Sequence, residues 1–245
     1  MTALTWQKAE VISIKQETQQ TRRFRFKLIE QERFDFKPGQ FVTLDLPIGE
    51  KPGKRWRSYS IASWPDGSNE IELLIVLLEG GAGSTFLFND IKIGSLVSLR
   101  GPQGIFILDP VIETDLYFIC TGTGIAPFRS MLHTIKNEKL LHRKIYLIFG
   151  TRTRADLLYF DEMKALEKEL EGFYYLPTLS RETWEGCCGY VHAVYEQLVK
   201  ENMQDGNLSP SKFYLCGWKD MISEAKQRIL ELGFDKKNII QEIYG

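Results

Sequence analysis

A chain of 245 residues is long enough for one large domain or two modest ones, each with a buried core. Its 43% hydrophobic and 26% charged residues exclude a disordered or fibrous protein. With 31 basic against 32 acidic residues, a formal charge of −1, nothing in the balance supports nucleic acid as a partner of the whole surface. From Glu10 to Lys15 and from Thr21 to Leu28 the residues alternate, with Phe24, Phe26 and Leu28 on one face. Pro38-Gly39 turns the chain into Phe41–Leu46; Arg57–Ala62, the denser Ile71–Leu78 and Leu96–Arg100 follow, with a short apolar helix around Thr85–Asn89. Short strands at this spacing predict an antiparallel β-barrel.

Beyond Pro110 short apolar runs at Leu116–Cys120, Ile145–Phe149, Phe173–Leu176, Phe213–Cys216 and Asn238–Ile243 are separated by helical patterns. Met163, Leu166 and Leu170 share one helical face, as do Val191, Val194 and Leu198, and Ile222, Ala225, Ile229 and Leu232. Strands alternating with helices predict βαβ units and a parallel sheet. The reading is therefore a two-domain protein, an antiparallel β-barrel over 1–110 and an α/β parallel-sheet domain over 111–245, with the boundary near 108–113. No apolar run approaches the roughly 20 residues of a bilayer span. The polar, alternating start from Met1 to Lys15 lacks a signal-peptide layout, so a cytoplasmic protein without membrane insertion is expected. Cys120, Cys187, Cys188 and Cys216 are spaced for neither a zinc site nor an iron–sulfur cluster, so they read as reduced thiols and no metal is expected.

Two glycine-rich turns carry the chemistry. Thr121-Gly122-Thr123-Gly124-Ile125-Ala126-Pro127 follows an apolar strand and opens a helix. Glycines let backbone N–H groups approach a pyrophosphate, the helix start is partially positive, and Pro127 suits a first turn where no N–H is needed. Pro127 also replaces the third glycine of the usual dinucleotide fingerprint. Gly80-Gly81-Ala82-Gly83-Ser84-Thr85 likewise follows a strand and opens the short helix. Between them in kind is Arg57-Ser58-Tyr59-Ser60, where alternation puts a cation and an aromatic ring on one face and two hydroxyls on the other. Alone, it reads equally as an amphipathic barrel strand. Two anion sites in one chain suggest two phosphate-bearing cofactors, or one cofactor and one substrate.

Arg57-Ser58-Tyr59-Ser60, Gly81-Ala82-Gly83-Ser84, Gly101-Pro102-Gln103-Gly104, Gly122-Thr123-Gly124-Ile125-Ala126-Pro127 and Cys216-Gly217, in this order, resemble the ferredoxin–NADP⁺ reductase superfamily over nearly the whole chain. The resemblance implies an FAD-binding barrel followed by an NAD(P)-binding sheet. It implies that Arg57, Ser58 and the Gly81–Thr85 loop hold FAD, that Tyr59 stacks on the flavin, and that the Ser60 hydroxyl lies near its reactive nitrogen. Gly122, Thr123, Gly124 and Pro127 would receive the dinucleotide's pyrophosphate, and Cys216 with Gly217 would face the nicotinamide. The ending Gln241-Glu242-Ile243-Tyr244-Gly245 resembles the family's plastid type, in which an acidic residue and a tyrosine flank the flavin; here Gly245 follows the tyrosine. Ser60, Cys216, Glu242 and Tyr244 are thereby the implied catalytic residues.

After the third sheet strand, Ser180-Arg181 stands where NADP-using relatives hold a 2′-phosphate, with Thr151, Arg152 and Arg154 in reach of the same end. This favours NADPH, with NADH the alternative. Arg22-Arg23-Phe24-Arg25 and Lys51-Pro52-Gly53-Lys54-Arg55 read as a basic rim steering in an acidic ferredoxin or flavodoxin, or equally as solvated strand-edge charge. With no cluster of its own, the chain implies a separate acceptor. The other readings are an NADH-fed oxygenase reductase, a free-flavin, ferric or quinone reductase, and a non-catalytic flavin- and nucleotide-binding subunit. His133, His142 and His192 read as surface or packing residues.

Overall fold

Alternating side chains need a sheet with one face covered, and the first half of the chain supplies it. The computed structural model describes residues 5–244. β1 (Gln7–Thr18) and β2 (Thr21–Leu28) form a hairpin in which Val11 faces Phe26 and Ile14 faces Phe24. β3 (Phe41–Asp45) follows, then one helical turn, α1 (Pro52–Arg55), and β4 (Trp56–Ser60). β5 (Glu70–Val76), α2 (Ala82–Asn89) and β6 (Leu96–Gln103) complete the set. The strands pair antiparallel in the order β4-β3-β6-β1-β2-β5. A bridge between Ile61 and Leu73, with the Ala62 N–H donating to the Glu72 carbonyl at 2.8 Å, joins the two outer strands and closes the sheet into a barrel. Phe24, Phe26 and Leu28 are fully buried among Val11, Leu44, Leu73 and Leu99, each burial stabilising by about 1.5–3 kcal/mol.

The second half is a parallel sheet. Its elements in chain order are β7 (Asp115–Thr121), α3 (Ala126–Glu138), β8 (Ile145–Thr151), α4 (Phe160–Glu169) and β9 (Phe173–Leu179). The two-residue β10 (Cys187–Cys188), α5 (Val191–Glu201), β11 (Ser211–Trp218), α6 (Lys219–Glu231) and β12 (Ile239–Tyr244) follow. The order β10-β9-β8-β7-β11-β12 runs outward from β7 and then returns to its other side. The order in which strands are added thus reverses between β7 and β11, and in open α/β sheets ligands bind outside the carboxyl ends of the strands at such a switch point.

Contacts divide the chain into two units: residues up to Leu108 together with Ala126–Thr134, and Asp109–Ile125 together with the chain from Ile135 onward. The first turns of α3 therefore group with the barrel, through ring contacts such as Phe106 on Phe128 at 5.7 Å. Two helical stripes differ from the periodicity. In α5 the buried line is Val191, Tyr195 and Val199, with Val194 and Leu198 only partly buried beside it. The tyrosine is amphipathic, so its place at the centre of the stripe is hidden in an aliphatic pattern. Leu170 is buried, but as the residue that caps α4. Among the described residues no helix is long and apolar enough to cross a membrane.

Candidate functional site

In the first unit, Arg57 and Tyr59 sit opposite Leu44 and Val42 across the β3–β4 ladder and share their face; Ser58 and Ser60 take the other. Arg57 is fixed by donating to the carbonyls of Trp56 at 2.8 Å and Lys54 at 3.1 Å. Its side chain crosses the start of α2, where a Cβ on Gly83 would lie 2.8 Å from Arg57 Cγ and 3.0 Å from Nε. Only a residue without a side chain lets a guanidinium approach the free N–H groups of that turn. Cation and helix start together form a cradle suited to a diphosphate, and this is the fit expected for FAD. The Ser84 hydroxyl ties the loop to itself, accepting from the Leu78 N–H at 3.0 Å and donating to the Gly81 carbonyl at 3.0 Å. Thr85 is exposed one residue on. Burial pushes the Tyr59 phenol up to about 12 against the pull of Arg57, so the ring is neutral across the physiological range. Ser58 shares a hydrogen bond with Thr43 at 3.1 Å, whereas Ser60 is buried at the end of β4.

In the second unit the switch point holds the remaining residues. Gly122–Ile125 forms a single tight turn and α3 continues from it with Pro127 in its first turn, so the strand–turn–helix context is present. A Cβ on Gly124 would collide with the Cys216 carbonyl oxygen and lie 3.1 Å from the Gly217 Cα. The loop is thus pressed against the carboxyl end of β11. Cys216 is opposite Cys120 on one side and Glu242 on the other, and Tyr244 ends β12 opposite Trp218. Burial, then the nearby Glu242 carboxylate, pushes the Cys216 thiol well above its ordinary value, partly offset by a hydrogen bond with Tyr244. Cys216, Gly217, Glu242 and Tyr244 therefore meet Gly122–Gly124 at one end of the sheet. Gly245 lies outside the described residues.

At the carboxyl ends of β8 and β9, Ser180 and Arg181 donate backbone N–H groups to the carbonyls of Thr151 and Arg152 at 3.0 and 2.9 Å. This brings the Arg152 and Arg181 side chains, both exposed, to one edge. The Ser180 hydroxyl is directed to the Thr151 carbonyl at 3.2 Å. Sequence reasoning missed the acidic members of this edge. Glu182 accepts from the Arg154 backbone N–H at 2.8 Å, and Glu185 pairs with the Arg154 guanidinium at 3.2 Å. It also missed Tyr190, which caps α5 with a ring 74% exposed, just after Gly189, whose N–H donates to the Leu179 carbonyl. A Gly-Tyr pair at a helix start was the available signal.

The basic rim is corrected in part. Arg22 lies over the Phe88 ring and donates to the Phe88 carbonyl, Arg23 pairs with Glu17, Arg25 with Glu70 and Arg55 with Asp45. Lys51 and Lys54 are exposed and have no carboxylate partner among the described residues. His192 is buried, its Nδ1 at 3.0 Å from the Tyr195 hydroxyl, and burial lowers its pKa against the pull of Glu224. His133 stacks on Trp64.

Residues 8–107 match the family described as an oxidoreductase FAD-binding domain, and residues 118–227 the oxidoreductase NAD-binding domain. The chain is 34% identical over 241 residues to ferredoxin–NADP reductase B of Sorangium cellulosum (strain So ce56), covering 96% of both chains. It is also 34% identical over 220 residues to the propane 2-monooxygenase reductase component of Mycolicibacterium goodii, covering 89% of this chain but 62% of that one. Among solved structures, the Amycolatopsis cytochrome P450 reductase GcoB superposes with a TM-score of 0.85 at 26% identity, over 98% of this chain and 70% of that one.

Proposed function

The chain belongs to the ferredoxin–NADP⁺ reductase superfamily, and on that basis we propose that it is an FAD-dependent oxidoreductase working between NADPH and a separate one-electron redox protein, a ferredoxin or flavodoxin, in the cytoplasm. What supports this reading is the packing at two glycine-rich turns, Arg57 laid across the start of α2 at Gly83 and Gly124 pressed against Cys216. FAD, when bound, exchanges a hydride with the nicotinamide and single electrons with the partner.

The protein's own residues supply binding, orientation and exclusion of water. Arg57 and the N–H groups of Gly81–Thr85 hold the FAD diphosphate, and the neutral ring of Tyr59 offers a flat face for the flavin. The Ser60 hydroxyl is a hydrogen-bond group in a buried setting. Gly122, Thr123, Gly124 and Pro127 hold the dinucleotide pyrophosphate. The Cys216 thiol stays protonated, so the nicotinamide would meet a small neutral surface, while Gly217 lets the end of β11 pack against the Thr121 hydroxyl. Glu242 places negative charge beside it, and Tyr244 moves aside when the nicotinamide enters. Thr151, Arg152, Ser180 and Arg181 form the 2′-phosphate end, where two guanidiniums share an edge. Lys51 and Lys54 remain as the cationic surface for an acidic partner.

A second reading, an NADH-fed oxygenase reductase, draws on Glu182 and Glu185. They engage Arg154 and set negative charge at the edge where a 2′-phosphate would lie. Anaerobic stopped-flow mixing of the flavin-loaded protein with NADPH and, in parallel, NADH separates the two. Faster bleaching of the visible flavin band by NADPH is expected. Faster bleaching by NADH moves the chain to the second reading, and no bleaching with either refutes both.

A further inference from the structure

Arg100 on β6 lies between two indoles, 4.9 Å from the centre of the Trp6 ring and 4.7 Å from that of Trp56. The two rings stand 5.5 Å apart at 49°, so the three side chains form one layered group, each of them partly exposed. Val42, Leu44, Val97 and Leu99 point into the barrel core, so alternation puts Thr43, Ser98 and Arg100 on the opposite face. There Thr43 stands opposite Arg100 on one side and Ser58 on the other, and the Ser98 hydroxyl accepts from the exposed Lys8 ammonium at 2.9 Å. All of these residues belong to the first unit.

An arginine carries five N–H donors, and one with a structural role uses them. Arg55 does so nearby, with both prongs of its fork on Asp45 at 2.7 Å. Arg100 does not. Its Nε is buried without a hydrogen-bond partner, and its guanidinium pairs with no carboxylate among the described residues. A buried donor left unmade costs free energy, which ring contact offsets only in part. The stack therefore holds a cation in one orientation at the surface with its charge unspent. Tryptophan and arginine are the residue types that dominate protein–protein hot spots, and the charge around them selects the partner. Lys8 on the same face, and Lys51 and Lys54 on the turn that leads into Trp56, are exposed cations. Asp45 is engaged by Arg55, which leaves Glu10, two positions past Lys8, and Glu50, beside Lys51, as the acidic neighbours in sequence. Cations predominate.

We propose that the Trp6–Arg100–Trp56 stack is the docking anchor for an acidic one-electron redox protein, with Arg100 receiving one of its carboxylates. The proposal rests on the oxidoreductase reading above and names where on the first unit its partner sits. The exposed Ser58 stands on β4 between Arg57 and Tyr59, so the patch begins on the strand that carries two residues assigned to FAD. The indoles exclude water from the guanidinium, and a charge pair formed in such a setting is stronger than one at an open rim.

The test uses the flavin-loaded full chain with two probes in parallel, an acidic iron–sulfur ferredoxin and an acidic flavodoxin, driven by NADPH and by NADH. The variants are R100Q, which keeps a stem between the rings, and K8E at an exposed position. In both, flavin content, thermal midpoint and the rate of flavin reduction by dinucleotide should match the parent. The KM for the accepting probe should rise roughly tenfold in R100Q and about two- to fivefold in K8E, with kcat nearly constant. Added salt should narrow both differences. A parental probe KM in flavin-loaded R100Q overturns the proposal. Should R100Q lose its fold or its flavin, K8E decides alone, and a parental probe KM there overturns the proposal. A parental dimer that R100Q splits, with probe kinetics unchanged, gives the face to a second copy of the chain and overturns it too. A parent reduced by dinucleotide that serves neither probe overturns the partner assignment and this proposal with it. A flavin-loaded parent that neither dinucleotide reduces overturns the oxidoreductase reading itself.

Discussion

Gly83→Ala should act on cofactor binding and on the fold with opposite signs. An alanine Cβ at this position meets Arg57 at Cγ (2.8 Å), Nε (3.0 Å) and Cδ (3.2 Å). Ordinary van der Waals contact needs about 3.5–4.0 Å, so each of the three atoms must retreat by several tenths of an ångström. They belong to the middle of the side chain, so a small swing of the tip does not relieve the clash. Arg57 must change rotamer and its guanidinium leaves the start of α2. A charge-assisted hydrogen bond is worth about 1.5–3 kcal/mol, which at about 1.4 kcal/mol per tenfold predicts FAD binding weaker by roughly tenfold to a hundredfold. In the apoprotein the same change replaces glycine by alanine inside a helix, favourable by roughly 0.5–1 kcal/mol. The assay is a flavin-fluorescence titration of the apoprotein beside urea unfolding without FAD. An unchanged FAD dissociation constant would refute the cradle, and a destabilised apoprotein would show that Gly83 serves packing instead.

Arg181→Ala should raise the KM for NADPH by on the order of tenfold and leave that for NADH nearly unchanged; steady-state kinetics with both dinucleotides decide, and equal effects would remove Arg181 from the 2′-phosphate end. Burial raises the Cys120 and Cys216 thiols well above 9.0, so each binds its proton more tightly folded than unfolded. Stability is then intact below the unfolded thiol value and falls above it, by about 1.4 kcal/mol per pH unit for each thiol until its folded value is reached. Denaturant titrations from pH 8 to 10 should show this decline, and it should flatten in C120S/C216S. Electron delivery to an acidic ferredoxin should slow with added salt and in K51E/K54E, while NADPH-driven flavin reduction stays constant. A salt-independent delivery rate would free the lysines from that role.

What the sequence made legible is what sterics decide locally. Phe24, Phe26 and Leu28 alternate because one face of β2 is buried, and the pattern states it directly. Gly83 and Gly124 were visible because backbone and cation approach closer than any side chain allows, a demand that leaves a glycine in the text. Arg57 and Tyr59 were placed on one face by parity alone. Charge was not legible in the same way. Arg22, Arg23 and Arg25 form a basic run in sequence, yet Phe88, Glu17 and Glu70 engage them from elements that the run does not announce. Arg129 carries no mark of burial in the sequence; Glu72 and Trp64, distant in the chain, engage it in the fold. The closure of the barrel is itself a single bridge between Ile61 and Leu73 that no local periodicity encodes. Glycines were therefore legible where backbone and cation approach closely, whereas the pairing of charged side chains is decided across the fold and leaves no local mark.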